Sequence, residues 1–250
     1  MGPNLARKVC RVTHRWLVLR LEAPLMAFGG VAIDQVGPTR NFPAASMLTG
    51  LVGNALGWHW SDRHAHQAIQ DRLVFAVRRD REGTLLTDTQ NVQLARDDKG
   101  WTTHGAPEGR EGASYAAPHR RIRDYMADAS VRVVLRLEPS DETPTLKALA
   151  DALDRPTRPL FLGRKTCLPA VPLLAPGEQR WTIAGTACEA LRSVPGYDRP
   201  VQAQWPVGHG PESGDGVDRV VDLADLRNWN TGLHGGSRRV VEGRILPATT

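Results

Sequence analysis

Cysteine is scarce and scattered in this chain. Among 250 residues there are three, Cys10, Cys167 and Cys188. An odd, widely spaced set gives no disulfide framework and fits a reducing, cytoplasmic compartment. No CxxC pair occurs, so a structural zinc site is not expected. Long apolar runs are missing as well, and no membrane-spanning helix is expected. The first fifteen residues are basic (Arg7, Lys8, Arg11, Arg15), but they lack the apolar run and small-residue cleavage site of a secretory leader. No GxSxG, GxGxxG or HExxH signature occurs. The segment 162–166 (LGRKT) ends like a phosphate-binding P-loop but lacks the glycine five residues upstream of Gly163. The histidines of the Trp58-His59-Trp60 run and of His64-Ala-His66 have no carboxylate spacing that would make a metal site, and they lie in polar stretches that read as surface. No cofactor and no metal are expected.

What the chain has in plenty is glycine, proline and positive charge. Gly (24) and Pro (18) predict many turns. The net charge is +5 and the isoelectric point about 9.5, which favours a polyanionic partner because Lys and Arg displace counterions from phosphates. With 41% hydrophobic residues the length suits one large domain or two small ones.

Apolar patterning predicts a strand over 16–22 and a helix over 43–57, opened by Pro43, with apolar positions 47, 48, 51, 52, 55 and 56 at helical spacing. Gly50, Gly53 and Gly57 each cost that helix about 1 kcal/mol, so their presence predicts tight packing or a close ligand. Further strands are expected over 72–78, 85–94 and 129–138, a helix over 144–153, and a short strand with a glycine turn over 160–166. Residues 96–121 read as a protruding loop or hairpin. The order strand, helix, strand, strand, strand, helix is close to the split βαβ of ferredoxin-like and RNA-recognition folds. The fold class is therefore α+β: a loose leader over 1–14, a ferredoxin-like (RRM-like) domain over 15–175, and a smaller β-rich C-terminal part over 176–250.

Three places could meet a polyanion. The cluster His119-Arg120-Arg121-Ile122-Arg123, with Tyr115 beside it, offers bidentate phosphate contacts and a stacking face; the same residues read equally as a solvated charged loop. Gly163-Arg164-Lys165 could bring backbone N–H groups and cations to a phosphate, or form an ordinary turn. Arg40 and Asn41 precede the Pro43 helix, whose first turn holds Ser46, and a helix N-terminus attracts phosphates; the alternative is a capped polar loop. Metal-free RNA cleavage needs a base, an acid and a cation, and by residue type His119, His104, Lys165 and Tyr115 qualify.

Four segments in order carry a resemblance: 19–29 (LRLEAPLMAFG), 37–57 (GPTRNFPAASMLTGLVGNALG), 123–130 (RDYMADAS) and 159–167 (PLFLGRKTC). They are similar to the fifth CRISPR-associated (Cas) protein family of the RAMP superfamily, in its type I-E Cascade branch. The similarity runs from about 16 to 175 and is weaker beyond, where Arg227-Asn-Trp229 and Gly235-Gly236 echo the family. The resemblance implies a ferredoxin-like domain with a glycine-rich loop at Gly163 and a β-hairpin thumb at about 90–123 that includes the 110–123 protrusion. It implies a non-catalytic subunit that grips the 5′ handle of CRISPR RNA, beside a backbone subunit of the seventh Cas family and the large subunit of the eighth, and that meets target DNA through the assembled complex. It implies a cytoplasmic protein with no membrane partner. A type I-C branch of the family cuts precursor RNA and is expected to carry a tyrosine before the proline that opens the first helix. Phe42 stands there, which speaks against the endoribonuclease alternative built on Tyr115, His119 and Lys165.

Overall fold

The computed structural model describes residues 12–93, 100–101, 107–108 and 119–249. Strand β1 (His14–Glu22) carries an apolar run from Trp16 to Leu19 because it is covered there on both faces, as central strands are when each face packs on other elements. Leu17, Leu19 and Leu21 enter one core and Trp16 and Val18 the other. β2 (Leu25–Met26) and β3 (Val36–Gly37) follow as short pieces, then helix α1 (Ala45–Ala55) and helix α2 (Arg63–Arg72). Next come β4 (Leu73–Arg81), β5 (Thr84–Val92), the small pair β6 (Gly100–Trp101) and β7 (Pro107–Glu108), β8 (His119–Ala127) and β9 (Ser130–Leu137). The C-terminal half holds α3 (Leu146–Asp154), β10 (Trp181–Ala184), α4 (Ala187–Ser193), β11 (Val201–Pro206), β12 (Val217–Leu223), β13 (Arg227–Asn228), β14 (Leu233–His234) and β15 (Arg238–Ile245).

The main sheet has seven strands in the order β10-β1-β9-β4-β11-β15-β12, and every neighbouring pair is antiparallel. α1 and α3 cover one face, where Leu48, Leu51 and Val52 meet Leu149, Ala150 and Leu153 over β1, β4 and β9. α4 covers the other with Ala187, Cys188, Ala190 and Leu191. Arg78 of β4 is fully buried on that side. Its guanidinium donates to the carbonyls of Leu191, Val194 and Pro195 and pairs with Asp80 at 2.7 Å. It thereby satisfies carbonyls at the C-terminal end of α4 that a helix leaves orphaned. The β-rich residues after 176 contribute β10, β11, β12 and β15 to this same sheet.

A second sheet stands off the first. β8 pairs β5 on one side in an unbroken register from Thr84↔Ala127 to Val92↔His119, and β2 and β3 on the other. Most of 94–118, on which the expected thumb falls, Tyr115 included, lies outside the described residues.

The His119–Arg123 cluster lies on strand β8, paired with β5. Two local expectations are corrected. Residues 160–166 form no strand; the Leu162 amide donates to the Cys167 carbonyl at 2.7 Å and closes a tight turn. His66 is not a surface histidine but 5% exposed on α2, a helix that its polar composition concealed. The small residues of α1 explain this, since a Cβ at Gly53 would lie 2.6 Å from His66 Nε2.

Candidate nucleic-acid interface

Where α1, the 162–167 turn, the Gly29-Gly30 loop and the β13–β14 hairpin converge there is a groove of about 540 Å³, within the roughly 300–1,000 Å³ usual for ligand sites. Its lining among the described residues includes Arg123, Arg158, Arg164 and Arg227, with His66 and His234, and no Asp or Glu. Small residues, among them Gly29, Gly30, Gly37, Gly50 and Gly163, let a ligand reach the backbone, while Trp58, Trp60, Phe161 and Trp229 wall one end. Such a lining favours an anion that also carries flat apolar surface.

Of the residues singled out in the sequence, Ser46, Arg123, Gly163 and Arg164 meet in this groove. Gly163 sits at φ +96°, and a Cβ there would fall 1.6 Å from the Ala27 carbonyl oxygen. The Ala27 amide in turn donates to the Leu162 carbonyl, so the turn is pressed on the chain after β2, and only glycine allows that approach. Arg164 donates to the carbonyls of Asp124 (2.8 Å) and Gly37 (2.7 Å) and stacks on Tyr125, 4.7 Å from its ring centroid. It ties the turn, β3 and β8 together. Arg123 donates to the carbonyls of Gln35 and Ile122, each at 2.9 Å.

Lys165 is exposed on the turn, outside the groove lining. Arg120 and Arg121 are exposed on β8, and Arg120 Nε reaches Asn91 Oδ1 at 3.4 Å. His119 is placed by its backbone at the start of β8. Arg40, half-buried, donates to the Ala224 carbonyl at 2.6 Å, and Asn41 is exposed. The α1 N-terminus is not open to a phosphate in the way its sequence suggested. The Ala45 amide donates to Asp225 Oδ2 and the Ser46 amide to the Asp225 carbonyl, both at 3.1 Å. The chain's own carboxylate fills that anion site.

The aromatic wall was not foreseen. His66 stacks on Trp229 (centroids 4.6 Å, 23° between planes), lies edge-on to Trp58, and has Nδ1 2.8 Å from the Asp62 carbonyl oxygen. Gln70 donates to the Arg227 carbonyl and its Oε1 accepts from the Arg227 amide and the Trp229 indole, while Gln67 Oε1 accepts from the Trp229 amide. Two glutamines of α2 thus pin the β13–β14 hairpin against the helices as a strap. Arg158 Nη1 donates to the Trp58 carbonyl at 2.6 Å. The sequence signals were three tryptophans in otherwise polar segments and the Arg227-Asn-Trp229 echo of the family. Among the described residues no three His, Cys, Asp or Glu cluster as metal ligands, and no helix is long and apolar enough to cross a membrane.

Fold and groove define an antiparallel α/β protein with a basic, tryptophan-walled cleft that has no carboxylate among its described residues. Residues 16–241 match the family model described as CRISPR-associated protein (Cas_Cas5). The chain belongs to that family. It is 34% identical over 152 residues to the CRISPR system Cascade subunit CasD of Escherichia coli (strain K12), an alignment covering 61% of this chain and 66%, just under two thirds, of that subunit. A solved CRISPR RNA-guided surveillance complex contains a chain that superposes with a TM-score of 0.66 at 22% identity, over 93% of this chain and 90% of that one. A crystal structure of a Cas protein superposes at 0.58 with 23% identity, over 92% and 95%. Both likenesses bear on the fold.

Proposed function

We propose that this protein is a CRISPR RNA-binding, non-catalytic subunit of a Cascade-type surveillance complex in antiviral defence. The observation that carries the reading is the groove: four arginines and, among the described residues, no carboxylate around a glycine-lined floor, on a chain of the Cas5 family. The order β10-β1-β9-β4, with α1 and α3 on one face, supports a ferredoxin-like reading of the fold, a scaffold suited to RNA. The 5′ handle of the guide is the segment assigned to the groove and the basic β8 arm. A backbone subunit of the seventh Cas family and the large subunit of the eighth are the neighbours, and target DNA is met through the assembly, in the cytoplasm. The non-catalytic reading draws support from Phe42, whose ring is buried in the core, 5.5 Å from the Arg79 guanidinium, and has no hydroxyl to offer.

The experiment is co-purification of the tagged protein with the other products of its CRISPR locus, followed by sequencing of the bound RNA. Guides with a uniform repeat-derived 5′ end support the reading. A chain that purifies with its partners but without RNA sinks it.

A further inference from the structure

The β13–β14 strap has only two residue pairs, Arg227↔His234 and Asn228↔Leu233, and a two-stranded hairpin of that size is not stable by itself in water. Among the described residues no backbone-to-backbone hydrogen bond joins 227–234 to the rest of the chain. The strap is held instead by side chains of one helix, α2. Gln70 bonds both backbone groups of Arg227 and the Trp229 indole, Gln67 accepts from the Trp229 amide, and Arg63 Nη1 donates to the Asn230 carbonyl at 2.9 Å. The Trp229 ring is set between the helices, stacked on His66 of α2 and 3.8 Å from where a Cβ at Gly50 of α1 would lie.

The two ends of the strap are built to stay in place while its body moves. Before it, Asp225 is fixed by Arg238 and by the first amides of α1, and Leu226 packs on the main core. After it come Gly235, with open space where a side chain would be, and Gly236 at φ +93°. The helix face beneath the strap is polar: His66 and Gln70 are 5% and 6% exposed, and water can take over their hydrogen bonds once the strap has left. Separation therefore uncovers little apolar core. An element with few apolar contacts, fastened by side chains, opens far more readily than the sheet it rests beside. The strap supplies Arg227, Trp229 and His234 to one wall of the groove, so the groove is open on that side whenever the strap swings out.

We propose that the β13–β14 strap is a latch, turning on Leu226 and Gly235-Gly236 with Gln67 and Gln70 as its catch, which opens to admit a strand of RNA to the groove from the side and closes to slow its escape. This rests on the RNA-binding reading above and adds a gate to it.

Hydrogen exchange on the free full-length chain tests the latch without RNA. The reporter is the Trp229 amide, whose acceptor is Gln67 and which keeps that acceptor when Gln70 is changed. In the wild type it should exchange about tenfold or more faster than the amides of β15, because the strap opens without the sheet. Gln70→Ala removes three of the bonds that hold the strap and should speed the Trp229 amide by about another tenfold. Unchanged exchange in β15 reports that the variant is folded. Arg63→Ala, at an exposed position, should act in the same direction by a smaller factor. Stopped-flow binding of a synthetic single-stranded RNA of the locus repeat tests the gate. Gln70→Ala should raise the association and dissociation rates together, so that affinity changes less than either rate, whereas a fixed wall that loses contacts raises dissociation alone. A Trp229 amide that exchanges at the β15 rate and is insensitive to both variants overturns the latch and leaves the RNA-binding reading standing. Faster exchange with an unchanged association rate overturns the gate. A wild-type chain that binds no repeat RNA overturns the RNA-binding reading and the gate with it.

Discussion

The carboxylate of Asp225 accepts a hydrogen bond from the Ala45 amide at 3.1 Å, across 180 positions of sequence. Asp225 has no side-chain exposure and is paired with Arg238 at 2.9 Å. α1 begins without a side-chain cap of its own, and this distant aspartate replaces it, favourably placed against the helix dipole. The loop that leads into the β13–β14 strap is thereby fastened to the helix that floors the groove, so stability and groove shape are coupled at one residue.

Removing it should be costly. Asp225→Ala leaves the half-buried Arg238 guanidinium and the α1 amide without their acceptor, and a broken buried pair costs about 3–5 kcal/mol. Asp225→Asn keeps an oxygen for the Ala45 amide and should lose less. Urea unfolding monitored by tryptophan fluorescence separates the two; equal stability of Asp225→Ala and wild type would refute the coupling.

Gly163 and Lys165, two residues apart, should behave oppositely. Gly163→Ala combines a left-handed φ of +96° with a Cβ driven into the Ala27 carbonyl, and should cost about 2 kcal/mol or more. Lys165→Ala touches an exposed side chain and should change stability by less than about 0.5 kcal/mol while weakening RNA binding. Melting and affinity measured on the same samples decide this. A stable Gly163→Ala with lost affinity would return the glycine to direct RNA contact.

Much of the fold could be read from residues because its central strands and two of its helices bury regular apolar patterns. Trp16 to Glu22 alternates between two cores, and Leu149, Ala150 and Leu153 repeat at helical spacing. What escaped was polar structure held by long-range partners. α2 (RHAHQAIQDR) is a helix whose buried His66, Gln70 and Arg72 find their acceptors and ring partners in the strap and in the 139–144 loop. No periodicity announces such residues. For the same reason Arg123, Gly163, Arg164 and Ser46 stand out as candidates by type, whereas Trp60, Arg158, Arg227 and Trp229 needed the convergence of three distant segments.

The arm should report itself through salt. Arg120 and Arg121 are exposed on β8, while Arg123 is committed to the Gln35 and Ile122 carbonyls. Arg120→Ala with Arg121→Ala should lower the slope of log affinity against log salt by about 0.7 for each phosphate that is no longer neutralised. Arg123→Ala should lower stability as well. An unchanged slope in the double variant would exclude these two arginines from the RNA path.

Acid should weaken the fold through His209. Burial, then the Arg136 charge, holds its imidazole below the ordinary value of 6.5, with His14 acting in the same direction and Glu138 against it. Above that value both folded and unfolded forms are neutral there. As pH falls through it, the unfolded chain takes up a proton that the folded chain resists, so stability is lost on the acid side. His209→Gln should flatten the decline in urea midpoint between about pH 7 and pH 5. An identical decline in the variant would assign acid sensitivity elsewhere.

The sharpest test separates gripping RNA from cutting it. A general base or a phosphorane-stabilising cation is worth about a hundredfold or more in rate. A hydrogen bond from a charged group to bound RNA is worth about 1–3 kcal/mol, a loss that an assembly with many contacts absorbs. If the protein is a scaffold, His119→Ala, Lys165→Ala and Tyr115→Phe should leave guide length and 5′ ends unchanged in cells, and purified wild-type protein should bind repeat RNA in a chelating buffer without cleaving it. If it is a nuclease, at least one variant should accumulate uncut precursor while still binding RNA and unfolding at the wild-type temperature. Phe42 adds a converse experiment. Its buried ring opposes Arg79, so Phe42→Tyr introduces a hydroxyl into the core rather than into the groove and should create no cleavage. Discrete products within the repeat from either the wild type or that variant would overturn the non-catalytic assignment.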